Sequence, residues 1–331
     1  MLDFIRHIKR EIEDYLLLYK KKGGFHSDEL KLKEKFYSEK APLLGIHSTS
    51  IILMIDGRYI HGGLSDRLRG IATIYGYCKE KGLPFFVNHV FPFALHDYLS
   101  PNSYNWEIAP SNISYNVQEA IPICLNAFAL LNKYHRRYLD IVLKRYIGKQ
   151  IHLYTTTRFL DKDYSVNFQE LFIPTPPLQK AIAANLKHIG DKYVAMVFRF
   201  QQLLGDFKED GYKILSASEQ EALIGKCINK VDELHRVHHP NDIVLVTSDS
   251  GKFLQKIVQK LEYVRIIPGK VVHMDHTANA AFETYMKSFE DMFLLTKADK
   301  IYLLQTGDMY HSGFAIRAAM INNKPYEEVV F

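Results

Sequence analysis

Short apolar segments alternate with amphipathic ones along most of the chain. The apolar segments have the β-branched and aromatic content of buried strands: SIILMIDG (50–57), LPFFVNHVF (83–91), QIHLYTTT (150–157), KYVAMVFRF (192–200), DIVLVTSD (242–249), YVRIIPG (263–269) and KIYLLQTG (300–307). The amphipathic segments predict helices around residues 69–80, 117–132, 178–188, 216–236, 250–260 and 281–297. This alternation predicts an α/β protein with parallel sheets that helices cover on both faces.

The length of the chain and one proline-rich segment predict two domains. A chain of 331 residues suits two compact domains, each with its own core. In FIPTPPLQKA (172–181), Pro174, Pro176 and Pro177 disfavour a helix or a central strand locally. We therefore predict an N-terminal domain over residues 1–177 and a C-terminal domain over residues 178–331.

The first residues of the chain predict an amphipathic helix. Its apolar positions follow helical spacing and are Phe4, Ile5, Ile8, Ile12, Tyr15, Leu16 and Tyr19. One interpretation is a helix packed on the core, and the other is a surface helix that touches anionic lipid. Because no signal peptide and no spanning segment is evident, we expect a cytoplasmic protein, with peripheral contact to the inner membrane face as the alternative.

Net charge and cysteine spacing indicate which kinds of ligand, metal and macromolecule the protein could bind. The net charge of +5 suits an anionic small molecule or a membrane surface, but it is too small and too dispersed for a dedicated nucleic-acid binder. The three cysteines, Cys78, Cys124 and Cys227, lie far apart, which argues against a disulfide framework and against a structural zinc site. We therefore expect neither a resident metal nor a nucleic-acid partner.

The segment HGGLSDRLRGIA (61–72) follows the first strand and leads into a helix. Gly62 and Gly63 permit positive φ and a close approach of substrate, while the helix N-terminus can direct N–H groups at an anion. Arg67 and Arg69 would add positive charge. The alternative interpretation is a tight turn with a solvated ion pair between Asp66 and Arg69.

Two further segments carry charged residues at predicted strand ends. Arg199 ends the strand in AMVFRFQQLLGDF (195–207), where its guanidinium could hold phosphate oxygens; the alternative is a structural ion pair with Asp206. In IVLVTSDSGKFLQKI (243–257), the polar residues before the helix could bind ribose and phosphate, or Ser248 or Ser250 could cap the helix.

The last strand is followed by a loop that contains glycine and serine. Ser312 and Gly313 open the next helix, an arrangement that can cradle phosphate, while the small Ala315, Ala318 and Ala319 predict close packing of helix on sheet. In GKVVHMDHT (269–277), His273 could bind the donor or the acceptor, and a surface loop is the alternative.

Together, these segments resemble one family in content and order. GGLSDRLRGIA is similar to the GGLGNQLFQYA-type segment of GDP-fucose-dependent fucosyltransferases, especially the bacterial α-1,2 type, and more loosely to the α-1,6 and protein O-fucosyltransferases. The segment from Arg199 to Asp206 resembles the HxRRxD motif, LVTSDSGKFLQKI resembles the TDD segment, and the residues from Phe289 onwards resemble the final motif.

The resemblance implies a GT-B fold, in which two Rossmann-like, doubly wound domains face each other across a cleft. It implies an inverting, metal-independent glycosyltransferase that moves fucose from GDP-fucose to a hydroxyl of a glycan acceptor, as in the synthesis of a bacterial surface polysaccharide. No cofactor is implied besides the donor substrate.

The resemblance also implies roles for single residues. Arg199 would hold the β-phosphate, with Ser312, Gly313 and Phe314 against the pyrophosphate. Asp249 and Asp299 would lie near the ribose and guanine. The donor would also be faced from the N-terminal side by Gly62, Gly63 and Asp66. Asp66 and Arg67 stand where the family has an Asn-Gln pair, and Arg67 would add positive charge towards the donor.

The sequence departs from the family pattern at the second motif. Val197 stands where the family has histidine, and Phe200 replaces the second arginine. These departures leave the donor open, so a different nucleotide sugar is an alternative, as is a catalytically silent protein that binds a nucleotide or a glycan. The general base is open between Asp66 and Asp206.

Overall fold

A computed structural model describes residues 25–125, 132–157, 163–207, 213–269, 271, 272, 274 and 281–331. The predicted N-terminal helix and the candidate residue His273 lie outside the described residues. Within these ranges, no helix is both long enough and apolar enough to cross a membrane.

Helices and parallel strands alternate, and every predicted strand is present. The helices are α1 (Phe25–Phe36), α2 (Leu64–Lys81), α3 (Asn132–Arg145), α4 (Tyr164–Leu171), α5 (Pro176–Ile189), α6 (Ala217–His238), α7 (Gly251–Lys260), α8 (Phe282–Leu295) and α9 (Gly313–Ile321). The strands are β1 (Ser50–Ile55), β2 (Phe85–His89), β3 (Leu99–Pro101), β4 (Ala120–Cys124), β5 (Gln150–Tyr154), β6 (Phe172–Pro174), β7 (Tyr193–Phe198), β8 (Ile243–Ser248), β9 (Val264–Arg265), β10 (Ile301–Gln305) and β11 (Tyr326–Val330). The predicted α/β class is confirmed.

The chain divides into two compact units. The first unit comprises the described residues of Met1–Gly62, Asp66–Phe91 and Pro101–Leu171, and the second those of Gly63–Ser65, Pro92–Ser100 and Phe172–Phe331. Two short stretches from the first half of the sequence thus belong to the second unit. The sequence-based division between residues 177 and 178 falls inside α5.

The first unit contains a parallel sheet with strand order β2-β1-β5-β4. All six residues of β1 are buried, as expected for a strand covered on both faces. Ile51 aligns with Phe85 on one side and with Ile151 on the other. Because the chain goes from β1 to β2 on one side and returns to β5 on the other, the carboxyl ends of β1 and β5 form a topological switch point.

The predicted helix over residues 117–132 is wrong in its first part, because β4 occupies Ala120–Cys124, while residues 126–131 lie outside the described residues. Pro122 lies in the middle of the segment, where it would break a helix. It fits β4 because this strand is at the edge of the sheet, where a missing N–H is tolerated. The β-branched Ile121 and Ile123 flank Pro122 and favour the same extended conformation.

The second unit contains a parallel sheet with strand order β11-β10-β7-β8-β9. Its topological switch point lies between β7 and β10, since the chain goes from β7 to β8 and later returns to β10 on the other side. One face of the sheet packs on α6 and α7, with Phe253 and Ile257 in its core. On α9, Ala315, Ala318 and Ala319 are buried, and α9 contacts β10, which confirms the predicted close helix–sheet packing.

Glu119 fastens the segment that precedes β1 to the first unit. Its carboxylate accepts hydrogen bonds from the backbone N–H groups of Leu44 (2.8 Å), Gly45 (2.7 Å) and Ile46 (3.0 Å). It also accepts a hydrogen bond from the Ser114 hydroxyl (2.7 Å). Burial by itself would raise the pKa of Glu119, but these donors outweigh it and lower the pKa to about 2.

We expect Glu119→Gln to lower the free energy of unfolding by about 1–3 kcal/mol at neutral pH, because three backbone N–H groups and the Ser114 hydroxyl lose a charged acceptor. The folded-state pKa lies below the ordinary value of 4.5, so the stabilisation is present above about 4.5 and is lost as the pH falls towards 2. Urea denaturation at several pH values measures this, and the difference from wild type should shrink in that interval. The exposed Glu107→Gln is the control; an equal effect of both variants would contradict the assignment.

Candidate functional site

Three predicted site segments follow neighbouring strands of the second unit. Arg199 follows β7, Asp249 follows β8, and Ser312 ends the loop after β10. The strands are parallel, so their carboxyl ends share one edge of the sheet. The backbone N–H of Tyr310 donates to the carbonyl oxygen of Arg199 (3.1 Å), which joins two of the loops directly. These segments therefore meet at the switch point, where sheets of this kind bind ligands.

Asp249 holds the turn that carries Arg199. Its carboxylate accepts hydrogen bonds from the backbone N–H groups of Phe200 (2.9 Å) and Gln201 (2.7 Å). The Oδ2 atom of Asp249 also lies 3.2 Å from Nη1 of Arg199. Gln201 has a φ of 53°, a left-handed conformation that costs energy in a residue with a side chain. The contacts of Asp249 thus stabilise an unfavourable turn and position the arginine.

The contacts of Asp249 are with the protein itself, whereas the resemblance implies a place near the ribose and guanine. Its carboxylate is directed at the protein backbone and at Arg199, and only 7% of the residue is exposed. Burial raises the pKa of Asp249, while the Arg199 guanidinium and the two N–H groups oppose that rise. Asp249 therefore acts on the site through the position and charge of Arg199.

Arg199 is held in place but remains accessible. Its guanidinium carbon lies 4.4 Å from the centroid of the Phe207 ring, on the face of the ring. About a fifth of the side chain is exposed (19%). A guanidinium fixed between a carboxylate and an aromatic face is a preorganised fork that matches phosphate oxygens.

Asp206 lies at the N-terminus of α7. Its Oδ2 atom accepts hydrogen bonds from the Ser250 hydroxyl (2.9 Å) and from the backbone N–H of Lys252 (2.8 Å). Ser250 itself caps α7 by accepting from the Phe253 N–H (3.1 Å), so the predicted capping by Ser248 or Ser250 is confirmed for Ser250. The alternative ion pair between Arg199 and Asp206 is corrected, because Arg199 pairs with Asp249 instead.

The loop after β10 presents the N-terminus of α9. Ser312 is the N-cap, and its hydroxyl accepts from the backbone N–H of Phe314 (3.2 Å). Gly313 has open space where a Cβ atom would be, and both Gly313 and Phe314 are partly exposed. The helix dipole and the first N–H groups make this terminus attractive to an anion. This helix N-terminus is where the sequence predicts a phosphate cradle.

Asp299 does not join these residues. It precedes β10, and its backbone N–H donates to the carbonyl oxygen of Tyr193, the first residue of β7 (2.9 Å). It therefore lies at the amino edge of the sheet. Ser312 lies at the opposite, carboxyl edge. The two edges are about 15 Å apart, because β10 runs between them and a strand rises about 3.3 Å per residue. The implied contact of Asp299 with ribose or guanine is not supported by this position.

The double-glycine turn in HGGLSDRLRGIA is built around a buried arginine. Gly62 has a φ of +73°, whereas Gly63 has no positive φ and is not crowded. Arg67 is only 1% exposed, and its guanidinium donates to the carbonyl oxygens of Gly62 (Nε, 2.9 Å) and Phe91 (Nη1, 2.8 Å). Arg67 thus stabilises the turn from inside, which does not fit its expected role as a charge offered to the donor.

Asp66 and Arg69 form the ion pair that was the alternative interpretation. Nη1 of Arg69 lies 2.9 Å from Oδ1 of Asp66, and 42% of the Asp66 side chain is exposed. Arg69 also donates twice to the carbonyl oxygen of Thr156 (2.9 and 2.6 Å). The Asp66 carboxylate, at the start of α2, is therefore oriented and accessible to solvent.

Known structures share this fold, although no family model matches the chain and no curated protein matches its sequence. Fucosyltransferase NodZ from Bradyrhizobium has a TM-score of 0.56 and 11% identity, over 82% of this chain and 91% of that chain. NodZ α-1,6-fucosyltransferase co-crystallised with GDP has a TM-score of 0.54 and 11% identity, over 82% and 92%. Arabidopsis thaliana FUT1, as a mutant in complex with GDP, has a TM-score of 0.52 and 14% identity, over 96% and 78%.

These neighbours define the class of fold. The chain has the α/β fold of GDP-fucose fucosyltransferases, which confirms the resemblance inferred from the order of the motifs. In particular, it is similar to NodZ over most of both chains.

Proposed function

We propose that the chain is a GDP-fucose-dependent fucosyltransferase that acts on a glycan hydroxyl. In this proposal the chain has the GT-B organisation, the second unit binds GDP-fucose, and the first unit presents the acceptor. The observation that carries the proposal is the fixed guanidinium of Arg199 at the switch point of the second sheet, next to the loop that leads to the α9 N-terminus. The structural neighbours that bind GDP support the choice of donor.

Arg199 and the α9 N-terminus suit a diphosphate leaving group. As the bond from the fucose anomeric carbon to the β-phosphate oxygen breaks, its electron pair leaves with GDP and negative charge builds up on the phosphate. A fixed guanidinium and the N–H of Gly313, at the positive end of the α9 dipole, stabilise that charge without reorganisation. The transition state resembles an oxocarbenium ion, so stabilising the departing group lowers the barrier directly. No metal ion is needed in this scheme.

The acceptor oxygen attacks the opposite face of the anomeric carbon, which inverts the configuration and releases one proton. Of the two candidate bases, Asp206 already accepts hydrogen bonds at Oδ2 from the Ser250 hydroxyl and from the Lys252 N–H at the N-terminus of α7. Asp66 is more accessible, with a single cationic side chain, Arg69, at one carboxylate oxygen. We therefore favour Asp66 as the group that takes the proton.

A second candidate keeps the fold and changes the donor. Val197 and Phe200 are 4% and 0% exposed and belong to the apolar interior. Neither position can supply the polar contact that histidine and arginine make in the family motif. These two residues therefore favour transfer from a nucleotide sugar other than GDP-fucose.

A thermal-shift screen with GDP, UDP and their sugars, followed by product analysis, tests the proposal. We expect GDP and GDP-fucose to raise the melting temperature. At a ligand concentration of a hundred times Kd, binding should increase the free energy of unfolding by about 2.7 kcal/mol. GDP-fucose should then be consumed in the presence of galactose- or N-acetylglucosamine-terminated acceptors. Stabilisation by UDP alone would support the second candidate, and stabilisation without transfer or donor hydrolysis would identify a binding protein.

A further inference from the structure

A groove in the first unit lies at the other switch point of the molecule. It encloses about 1090 Å³ and is bounded by α1 and the loop over residues 56–60. Asp56 directly follows β1, and Tyr154 is the last residue of β5. The Tyr154 hydroxyl donates to Oδ2 of Asp56 (3.3 Å), so a hydrogen bond connects the two strand ends. The groove thus has the location at which sheets of this type bind ligands.

Arg58 is held rigidly in the wall of this groove. A tight turn at Gly57, which has a φ of +80°, lets the Arg58 N–H donate to Oδ1 of Asp56 (3.1 Å). The Nε atom of Arg58 lies 3.4 Å from Oδ2 of the same carboxylate. The guanidinium carbon lies 4.5 Å from the ring centroid of Phe36 and 4.3 Å from that of Tyr115. Aromatic rings and a carboxylate thus fix the plane and the direction of the guanidinium.

The guanidinium of Arg58 retains unused hydrogen-bonding capacity. Its Nη1 atom is shielded from solvent and has no hydrogen-bond partner among the described residues. About a quarter of the side chain is exposed (26%), so the group still reaches the surface of the groove. Because Nη1 is shielded, a ligand oxygen in the groove can contact only the exposed part of the Arg58 side chain.

The other charged groups in the groove determine which kind of ligand oxygen could accept a hydrogen bond from Arg58. Asp28 already accepts hydrogen bonds from the Tyr59 hydroxyl (3.0 Å) and from Lys31 (3.3 Å). Asp56 is occupied by Arg58 and Tyr154, and its charge offsets that of the guanidinium. Glu34 and Lys35 also line the groove, so its three carboxylates (Asp28, Glu34 and Asp56) are balanced by three cations (Lys31, Lys35 and Arg58). The ligand must supply an acceptor to Arg58, but it meets no net positive charge that would favour a full negative charge on it. A hydroxyl or ring oxygen of a neutral sugar fits these conditions.

We propose that this groove is the subsite for a neutral sugar of the acceptor glycan, with Arg58 donating hydrogen bonds to a sugar oxygen. The proposal rests on the proposed function, which makes a glycan the acceptor of fucose. Arg58 is then a residue that determines acceptor specificity, and it lies in a different unit from Arg199. Lys35, which lines the same groove from α1, provides a second contact to the glycan.

Acceptor kinetics of Arg58→Lys and Lys35→Ala test the proposal. Lysine keeps the charge of Arg58 but loses its planar fork, so we expect the acceptor KM to rise about 10- to 100-fold, with kcat and the Kd for GDP unchanged. Lys35→Ala should raise the acceptor KM by a smaller factor. Lys33→Ala is the matched control, because Lys33 is exposed on the same helix but does not line the groove.

Direct binding separates this proposal from the proposed function. Saturation-transfer NMR with N-acetyllactosamine and with a glucuronate-terminated disaccharide reports glycan binding without turnover, and calorimetry with GDP reports the donor site. Wild type should bind the neutral glycan, and Arg58→Lys and Lys35→Ala should weaken it. Unchanged glycan binding in both variants, no binding by wild type, or a preference for the acidic sugar overturns the subsite. If wild type does not bind GDP, the proposed function is overturned instead.

Discussion

Replacing Arg199 with alanine is expected to lower the rate of fucose transfer by about 100- to 1,000-fold, the usual effect of removing one preorganised donor from a developing charge. The interaction strengthens as GDP departs, so kcat should fall by a larger factor than the affinity for GDP. Steady-state kinetics with GDP-fucose and calorimetric titration with GDP measure the two effects separately.

Two variants serve as controls for Arg199→Ala. Arg199→Lys should recover part of the rate, since a cation remains but the bidentate fork is lost. Arg236→Ala removes an arginine whose side chain is 70% exposed on α6, and it should leave transfer unchanged. If Arg199→Ala stays within a few-fold of the wild-type rate, Arg199 does not contact the leaving group.

Replacing Asp249 with alanine is expected to lower the free energy of unfolding by about 3–5 kcal/mol, the range for breaking a buried ion pair by removing one partner. The variant leaves the Arg199 guanidinium without its carboxylate, and it leaves the N–H groups of Phe200 and Gln201 without acceptors. Urea denaturation at neutral pH measures the loss.

Matched variants separate this effect from a general loss of acidic residues. Asp249→Asn keeps one good acceptor and should be less destabilising than alanine. Glu233→Ala, which removes a carboxylate whose side chain is 56% exposed on α6, should change the free energy of unfolding by no more than about 0.5 kcal/mol. A wild-type denaturation curve for Asp249→Ala would show that another interaction holds the turn at Gln201.

Local patterns along the sequence predict most of the fold, and the exception at Pro122 depends on strand pairing as well as on local residues. The segment over 193–198 is apolar at every position and is found as a strand buried at every residue. The segment around Pro122 was wrongly predicted as helix, because the wider amphipathic window outweighed a single proline. Pairing at the sheet edge, which a window of sequence cannot represent, decides in favour of the strand.

Candidate site residues were predicted with less success than strands. Arg199 and Ser312 lie at the expected edge because each follows a parallel strand. Asp299 was grouped with them through its motif, yet it precedes its strand and lies at the opposite edge. Arg58 was missed, because its signal is the pair of rings from Phe36 and Tyr115 that enclose it. Nothing in the residues adjacent to Arg58 indicates those contacts.

The sequence by itself determined the α/β class, seven of the strands and a serine cap on α7 at residue 248 or 250, because periodicity and caps depend on residues a few positions apart. Only the tertiary structure decided that Asp249 supports the turn at Arg199, that Arg67 is interior, and that the carboxyl edge of each sheet presents a fixed arginine. Those results depend on hydrogen bonds and ring contacts between residues distant in sequence, such as Asp249 and Phe200, which are 49 positions apart. Strand order and loop packing bring such residues together, and neither is encoded in a local pattern.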